Sequence, residues 1–239
     1  MNSQPSQSPL LEVASMPPSR VCGLDEVGRG ALAGPLVAAA VVLPDDFDQR
    51  LGLHMRFLRD SKTVPRHHRQ ELAHLIHAHA LFVEITEISV AAINEHGIGW
   101  ANREAFFRLI ERIEADEYIV DGRVRPHAPA ERAGRVRCMI KADAHVPAVS
   151  AASIIAKVYR DAVMAATHEA HPAFHWNENA GYGTPMHIAA LFEHGPCVEH
   201  RMAFVNTVLA GGQRARRSSS EDREHAEQRS VLLPEWSAE

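Results

Sequence analysis

Val21-Cys22-Gly23-Leu24-Asp25-Glu26-Val27-Gly28-Arg29-Gly30 is the stretch that decides how this chain folds. Its first seven residues read as a short apolar strand, broken by two adjacent acids and followed by a glycine-arginine-glycine loop. A carboxylate inside an apolar strand is costly unless it is paired or bound to a cation. The stretch therefore announces both a sheet and a site. Working outward, Pro35 to Leu43 (Leu-Val-Ala-Ala-Ala-Val-Val-Leu after the proline) shows no polar alternation, which predicts a strand buried on both faces. Pro65 opens a helix to about His79, and Leu81 to Ile88 forms a third strand. Ala101 to Ile113 has helical periodicity. Tyr118 to Val120 is a strand ending at Asp121, and Val136 to Ile140 another ending near Asp143. Pro147 opens a long helix to about Glu169, and Pro185 to Glu193 is a further one. Strands that come first and then alternate with helices predict an α/β fold, a mixed sheet flanked by helices.

Composition narrows the class. The chain has 239 residues, 46% of them hydrophobic, enough for a sizeable core. No apolar run is long enough to span a bilayer, and residues 1–20 lack the pattern of a secretory signal. A cytoplasmic monomer is the expectation. Residues 1–20, rich in Ser, Gln and Pro, read as a disordered leader, and residues 211–239 as a disordered charged tail. The folded unit is expected over 21–210. Cys22, Cys138 and Cys197 are widely spaced and form no Cys-x-x-Cys pair, which fits reduced thiols rather than a disulfide framework or zinc site. The net charge of −5 at pH 7 excludes a protein that holds nucleic acid by bulk charge, though not a local basic groove. Lysine occurs only at Lys62, Lys141 and Lys157, and each falls in a segment of interest below.

The acids Asp25, Glu26, Asp121 and Asp143 all sit at or near the carboxyl ends of short apolar strands, where α/β proteins gather active-site groups. Hard oxygen donors without a cysteine or histidine set suggest Mg²⁺ or Mn²⁺. Two such ions close together activate water and stabilise the leaving oxygen in phosphodiester cleavage. Adjacent strand residues face opposite sides. Either the strand bends before Gly28, or Glu26 contributes its backbone carbonyl.

Asp25-Glu26-Val27-Gly28-Arg29-Gly30 with Ala33-Gly34-Pro35 closely resembles the opening signature of the ribonuclease HII family. Asp60-Ser61-Lys62, Asp121-Gly122, Lys141-Ala142-Asp143, Ser150 to Val158 and Gly181-Tyr182-Gly183-Thr184 follow in the family's order. The resemblance covers about Val21 to Phe204. It implies a ribonuclease H-like fold with a helical C-terminal part. It also implies hydrolysis, with two metal ions, on the 5′ side of a ribonucleotide in an RNA–DNA hybrid or in duplex DNA, leaving 3′-hydroxyl and 5′-phosphate ends. The family's catalytic acids fall on Asp25, Glu26, Asp121 and Asp143, and Ser61 and Lys62 join the substrate-binding set. Thr63-Val64-Pro65 and Ala203 depart from the family pattern, away from the acids.

Substrate reading is expected of three further groups. Gly28, Arg29 and Gly30 allow close backbone approach to a ribose, whose 2′-hydroxyl marks RNA. Ser150 and Ser153, near the start of the long helix, suit phosphate. They share a polar stripe with Lys157 and Arg160, the latter read as structural, opposite an apolar face of Val149, Ala152, Ala156, Tyr159 and Val163. Tyr182, between glycines, is expected to be exposed, and the resemblance gives it the deoxyribose beside the ribonucleotide. His67 to His79 read as a solvated helix face. Gln228 to Leu233 faintly resembles peptides that dock on sliding clamps. A type HIII ribonuclease and an inactive nucleic-acid-binding protein on the same fold are the alternatives.

Overall fold

β1 (Val21–Val27), the strand that carries the adjacent acids, lies in the middle of a five-stranded sheet ordered β3-β2-β1-β4-β5. The computed structural model describes residues 20–54, 58, 65–123 and 125–211. β2 (Leu36–Val42) runs antiparallel to β1 and to β3 (Phe82–Ile88). On the other side, β4 (Glu117–Asp121) is parallel to β1, and β5 (Val136–Met139) is parallel to β4. This is the mixed α/β sheet that the sequence predicts. Asp60, Ser61, Lys62, the leader and the Gln228–Leu233 peptide lie outside the described residues.

The buried run of β2 works on both faces at once. Leu36, Ala38, Ala40 and Val42 pack with Leu24 and with Ala105, Phe106 and Leu109 of the helix Ile98–Arg112. Val37, Ala39 and Val41 pack against Ala151, Ala152 and Ile155 of the helix Pro147–Ala170, beside Leu72 and Ile76 of the helix Arg66–His79. Burying a Leu or Ile on either face contributes about 1.5–3 kcal/mol. Small residues bring the long helix close. A Cβ at Gly23 would lie 2.2 Å from backbone atoms of both Ala148 and Val149. Glycine there lets the helix seat directly on β1, and so fixes which of its side chains meets Asp25.

The periodicity of that helix misassigns two residues. Ser150 is 1% exposed and Tyr159 38%, whereas Arg160, read as structural, is fully buried. A single polar face assumes one buried side, but this helix is covered by the sheet, by Arg66–His79 and, towards its end, by the C-terminal helices. Val90–His96 is a helix that the strand-helix alternation missed. Its signals are local: the Ser89 side chain accepts the Ala92 N–H at its start, and Gly97 (φ 82°) ends it.

Beyond the sheet, Trp176–Asn179, Pro185–His194 and a helix over 202–211 form the helical C-terminal part. Phe174, Trp176, Leu191 and Val205 pack there with Met164 of the long helix and with Leu32 and Ala33 of the loop after β1. No described helix is long and apolar enough to cross a membrane.

Candidate active site

The parallel pairing of β1 and β4 sets Leu24 opposite Val120, so the acids that follow, Asp25 and Asp121, leave the same sheet edge. Asp25 is 8% exposed, on the face covered by the long helix, where Ser153 hydrogen-bonds its carboxylate. Burial, reinforced by the negative charges of Glu26 and Asp121, pushes the Asp25 carboxyl up to about 7, against the pull of Ser153 and the Glu26 N–H. Glu26 faces the other way. Asn102 of Ile98–Arg112 lies beside its carboxylate, and the Arg29 guanidinium is 3.7 Å away. Burial raises its pKa as well, with Arg29 and Asn102 opposing. β1 stays regular through Val27, so of the two sequence alternatives the bend is absent.

Asp143 reaches this edge by a sharp reversal. After β5, Lys141 takes a left-handed conformation (φ 59°), uncommon for a residue with a side chain. The turn Ala142–Ala144 follows, and the Ala142 N–H donates 2.8 Å to Asp121 Oδ1. One acid thereby ties down the turn that carries the next. Asp143 is 4% exposed and lines a cavity of ≈230 Å³ with Leu58, His145 and Ser150. Among the described residues, no three acidic, histidine or cysteine side chains are already drawn into a cage for an ion. The opposite facing of Asp25 and Glu26 is one cause, and mutual repulsion of carboxylates another. The donor set nonetheless fits a hard divalent cation: buried oxygens, like charges side by side, and a carboxyl made expensive to ionise.

The loop after β1 is held from the opposite side by hydrogen bonds to its backbone. Gly28 (φ 86°) requires glycine twice over, since a Cβ would meet the Arg160 side chain at 2.2 Å. Its N–H donates 3.2 Å to the Tyr182 hydroxyl. Arg160 is buried and donates to the carbonyls of Pro35, Ala180 and Ala33. Arg201, also fully buried, donates to those of Gly34, Gly28 and Arg29. Burial chiefly, then the Arg160 charge, pushes Arg201 down to about 9, still charged at neutral pH. The Arg29 side chain is half exposed and Gly30 has open space where a Cβ would stand, so the outer rim stays accessible.

The structure brings Asp25, Glu26 and Asp121 to one end of the sheet, and sets Gly28 against Tyr182, a pairing the sequence did not suggest. Tyr182 is half-buried rather than exposed, and its ring lies 5.4 Å from the Arg160 guanidinium carbon. The Ser150 hydroxyl donates to the Leu58 carbonyl inside the protein, and Ser153 serves Asp25. Asn102, Arg201, His187 and His200 went unassigned. Asn102 falls on the helix spacing of the buried Ala101 and Ala105, where a polar residue signals a partner.

A family model described as Ribonuclease HII matches residues 22–207. Ribonuclease HII of Acidovorax sp. strain JS42 is 42% identical over 212 residues, covering 86% of this chain and 96% of that protein. The Paraburkholderia xenovorans protein is 43% identical over 190 residues, covering 79% and 73%. Among solved structures, ribonuclease H2 of Pyrococcus horikoshii OT3 is similar at a TM-score of 0.66 and 25% identity, covering 79% of this chain and 96% of that one. RNase HII in the PCNA:RNase HII complex from Archaeoglobus fulgidus gives 0.64 and 29%, covering 77% and 94%. Bst-RNase HIII in complex with Mn²⁺ shares the fold at a TM-score of 0.58 and 19% identity, covering 82% and 71%. The matched residues run from the first acid-bearing strand into the C-terminal helices, and the chain belongs to the ribonuclease HII family of endoribonucleases.

Proposed function

We propose that this chain hydrolyses the RNA strand of RNA–DNA hybrids and cuts 5′ of ribonucleotides embedded in duplex DNA, leaving 3′-hydroxyl and 5′-phosphate ends. The observation that carries the reading is the buried Asp25 carboxyl beside Glu26 and Asp121, an arrangement that a divalent cation relieves. Asp25, Asp121 and Asp143 would hold Mg²⁺ or Mn²⁺ through their carboxylates, with Glu26 contributing its backbone carbonyl. Ions held there would activate water and offset charge on the leaving oxygen.

The chain's own groups orient the substrate. Gly28, Arg29 and Gly30 approach the ribose with backbone groups, and Arg201 keeps that backbone in place by holding the Gly28 and Arg29 carbonyls. Tyr182, fixed to Gly28, packs on the deoxyribose next to the ribonucleotide. Ser153 orients Asp25, Ser150 serves the interior through the Leu58 carbonyl, and Ser61 and Lys62 belong to the substrate-binding set. The enzyme acts in the cytoplasm as a monomer. The Archaeoglobus fulgidus relative was solved bound to PCNA, and the Gln228–Leu233 peptide here is the corresponding candidate for a sliding clamp.

The test is cleavage, with Mg²⁺ or Mn²⁺, of three duplexes: a hybrid, DNA with one ribonucleotide, and all-DNA. The first two are cut, with a 5′-phosphate on the downstream product, and the third is not. Cleavage of all-DNA duplex at a comparable rate overturns the reading.

A further inference from the structure

His187, His200, Trp176 and Cys197 form a closed hydrogen-bond chain behind the Tyr182 turn, and all but Cys197 are fully buried. Its ends determine its protons. His187 Nδ1 lies 2.9 Å from the Tyr182 carbonyl, which can only accept, so Nδ1 carries the hydrogen. At the other end, the Cys197 N–H donates 3.0 Å to His200 Nδ1, so that nitrogen is bare and Nε2 of His200 carries the hydrogen. The two ends meet consistently in the middle. His200 Nε2–H donates 3.1 Å to the bare His187 Nε2, which also accepts the Trp176 indole N–H at 3.2 Å. The next residue, Arg201, holds the Gly28 carbonyl, and Tyr182 accepts the Gly28 N–H.

We propose that His187 and His200 are positioning residues, locked as neutral rings of opposite tautomer, that set the Tyr182 turn against Gly28. A proton added to either ring opposes N–H to N–H and opens the chain. At His187 it meets the Trp176 and His200 donors; at His200 it meets the Cys197 amide, with the Cys197 sulfur at 3.3 Å as a weak acceptor. Burial chiefly, and for His200 also the facing His187 ring, keeps both pKa values low, with His200 at about 4. The groups around the pair do not reverse this. His171 further lowers His200, and His194 approaches through Phe174. Arg201 is positive and Arg160 lies behind Tyr182, while Cys197 and Glu199 border the loop side. The substrate consequence rests on the reading of Tyr182 given above; the proton placement does not.

The experiment uses the full chain labelled with ¹⁵N at histidine, with long-range proton–nitrogen spectra recorded from pH 8 to 5. Resonances are assigned with His187→Asn and His200→Gln. The expected result is His187 protonated on Nδ1 and His200 on Nε2, with His200 titrating near 4 and His187 below the ordinary value near 6.5. His187 protonated on Nε2, or either ring titrating near 6.5, overturns the proposal. In parallel, KM and kcat are measured on duplex DNA carrying one ribonucleotide. His187→Phe, which loses the bond to the Tyr182 carbonyl, raises KM about fivefold, the effect of one hydrogen bond, with the Mg²⁺ requirement unchanged. His187→Asn, which keeps a donor near Nδ1, returns KM to within about twofold. Equal KM in the two variants overturns the positioning role. A wild-type KM in Tyr182→Ala removes the substrate reading of Tyr182 instead, and the tautomers then decide the proposal alone.

Discussion

Two regions meet at the Gly28–Gly30 loop, and they are built on opposite electrostatic terms. On one side Asp25, Glu26 and Asp121 crowd negative charge at a buried sheet edge, with Asp25 pushed up to about 7. On the other, Arg160 and Arg201 spend their donors on backbone carbonyls, and the His187–His200 chain leaves neither ring in need of a proton. The first region is strained without a cation. The second is tied to backbone carbonyls, although Arg160 repels Arg201 and Arg201 Nη2 has no hydrogen-bond partner among the described residues. The difference separates chemistry from positioning: crowded acids are poised for a cation, whereas donors spent on carbonyls hold a shape.

The largest expected effect falls on the strained side. Asp25→Asn, Asp121→Asn and Asp143→Asn each lower kcat by about a thousandfold or more, equivalent to ~4 kcal/mol, while binding to a hybrid persists. Single-turnover rates and filter binding on one substrate check this. A near-normal rate at saturating Mg²⁺ would remove that residue from the metal site.

The same strain gives stability a definite sign with pH. Asp25 has a folded pKa above its unfolded one, so its contribution is present below about pH 4 and is lost as pH rises to about 7. Metal-free protein at pH 8 is therefore stabilised by Asp25→Asn, by about 1–3 kcal/mol after allowance for relaxation. The carbonyl-tied region behaves oppositely. Arg201→Met strands the Gly28, Gly34 and Arg29 carbonyls and costs about 3 kcal/mol at pH 6 and 8 alike, both below its pKa of about 9. Urea unfolding of both variants at pH 6 and 8 sharpens the contrast, and a pH-independent gain for Asp25→Asn breaks it.

Tyr182 stands on the boundary, so its effects are smaller and substrate-dependent. Tyr182→Ala slows cleavage at a single embedded ribonucleotide about tenfold to a hundredfold, from loss of ~1–3 kcal/mol of stacking. A long hybrid offers a ribose at that position and loses less. Tyr182→Phe, which gives up only the bond from Gly28, costs about fivefold. Equal losses on both substrates mean that Tyr182 supports the site generally. Smallest of all, deleting residues 212–239 leaves rates on short duplexes unchanged, and any loss appears only with a sliding clamp present.

The sequence by itself determined the strands, and through them the acids. Val21–Val27 and the unbroken apolar run of β2 admit one reading, and an acid in such a strand is conspicuous because its cost is local. The Gly28-Arg29-Gly30 loop was legible for the same reason, since glycine acts on its own backbone. The tertiary structure decided which residues serve those acids. Ser150 read as a surface contact because helical spacing reports one buried side, whereas three layers cover this helix. His187 and His200 stood among scattered histidines, thirteen residues apart, and only the packing of the C-terminal helices brings their rings to 3.1 Å. Asp25 and Glu26 are neighbours in sequence but face different helices, a separation dictated by the pleat and completed by Asn102 on one side and Ser153 on the other. Hydrogen bonds between distant segments leave no periodic trace, because each partner answers to a different element's geometry.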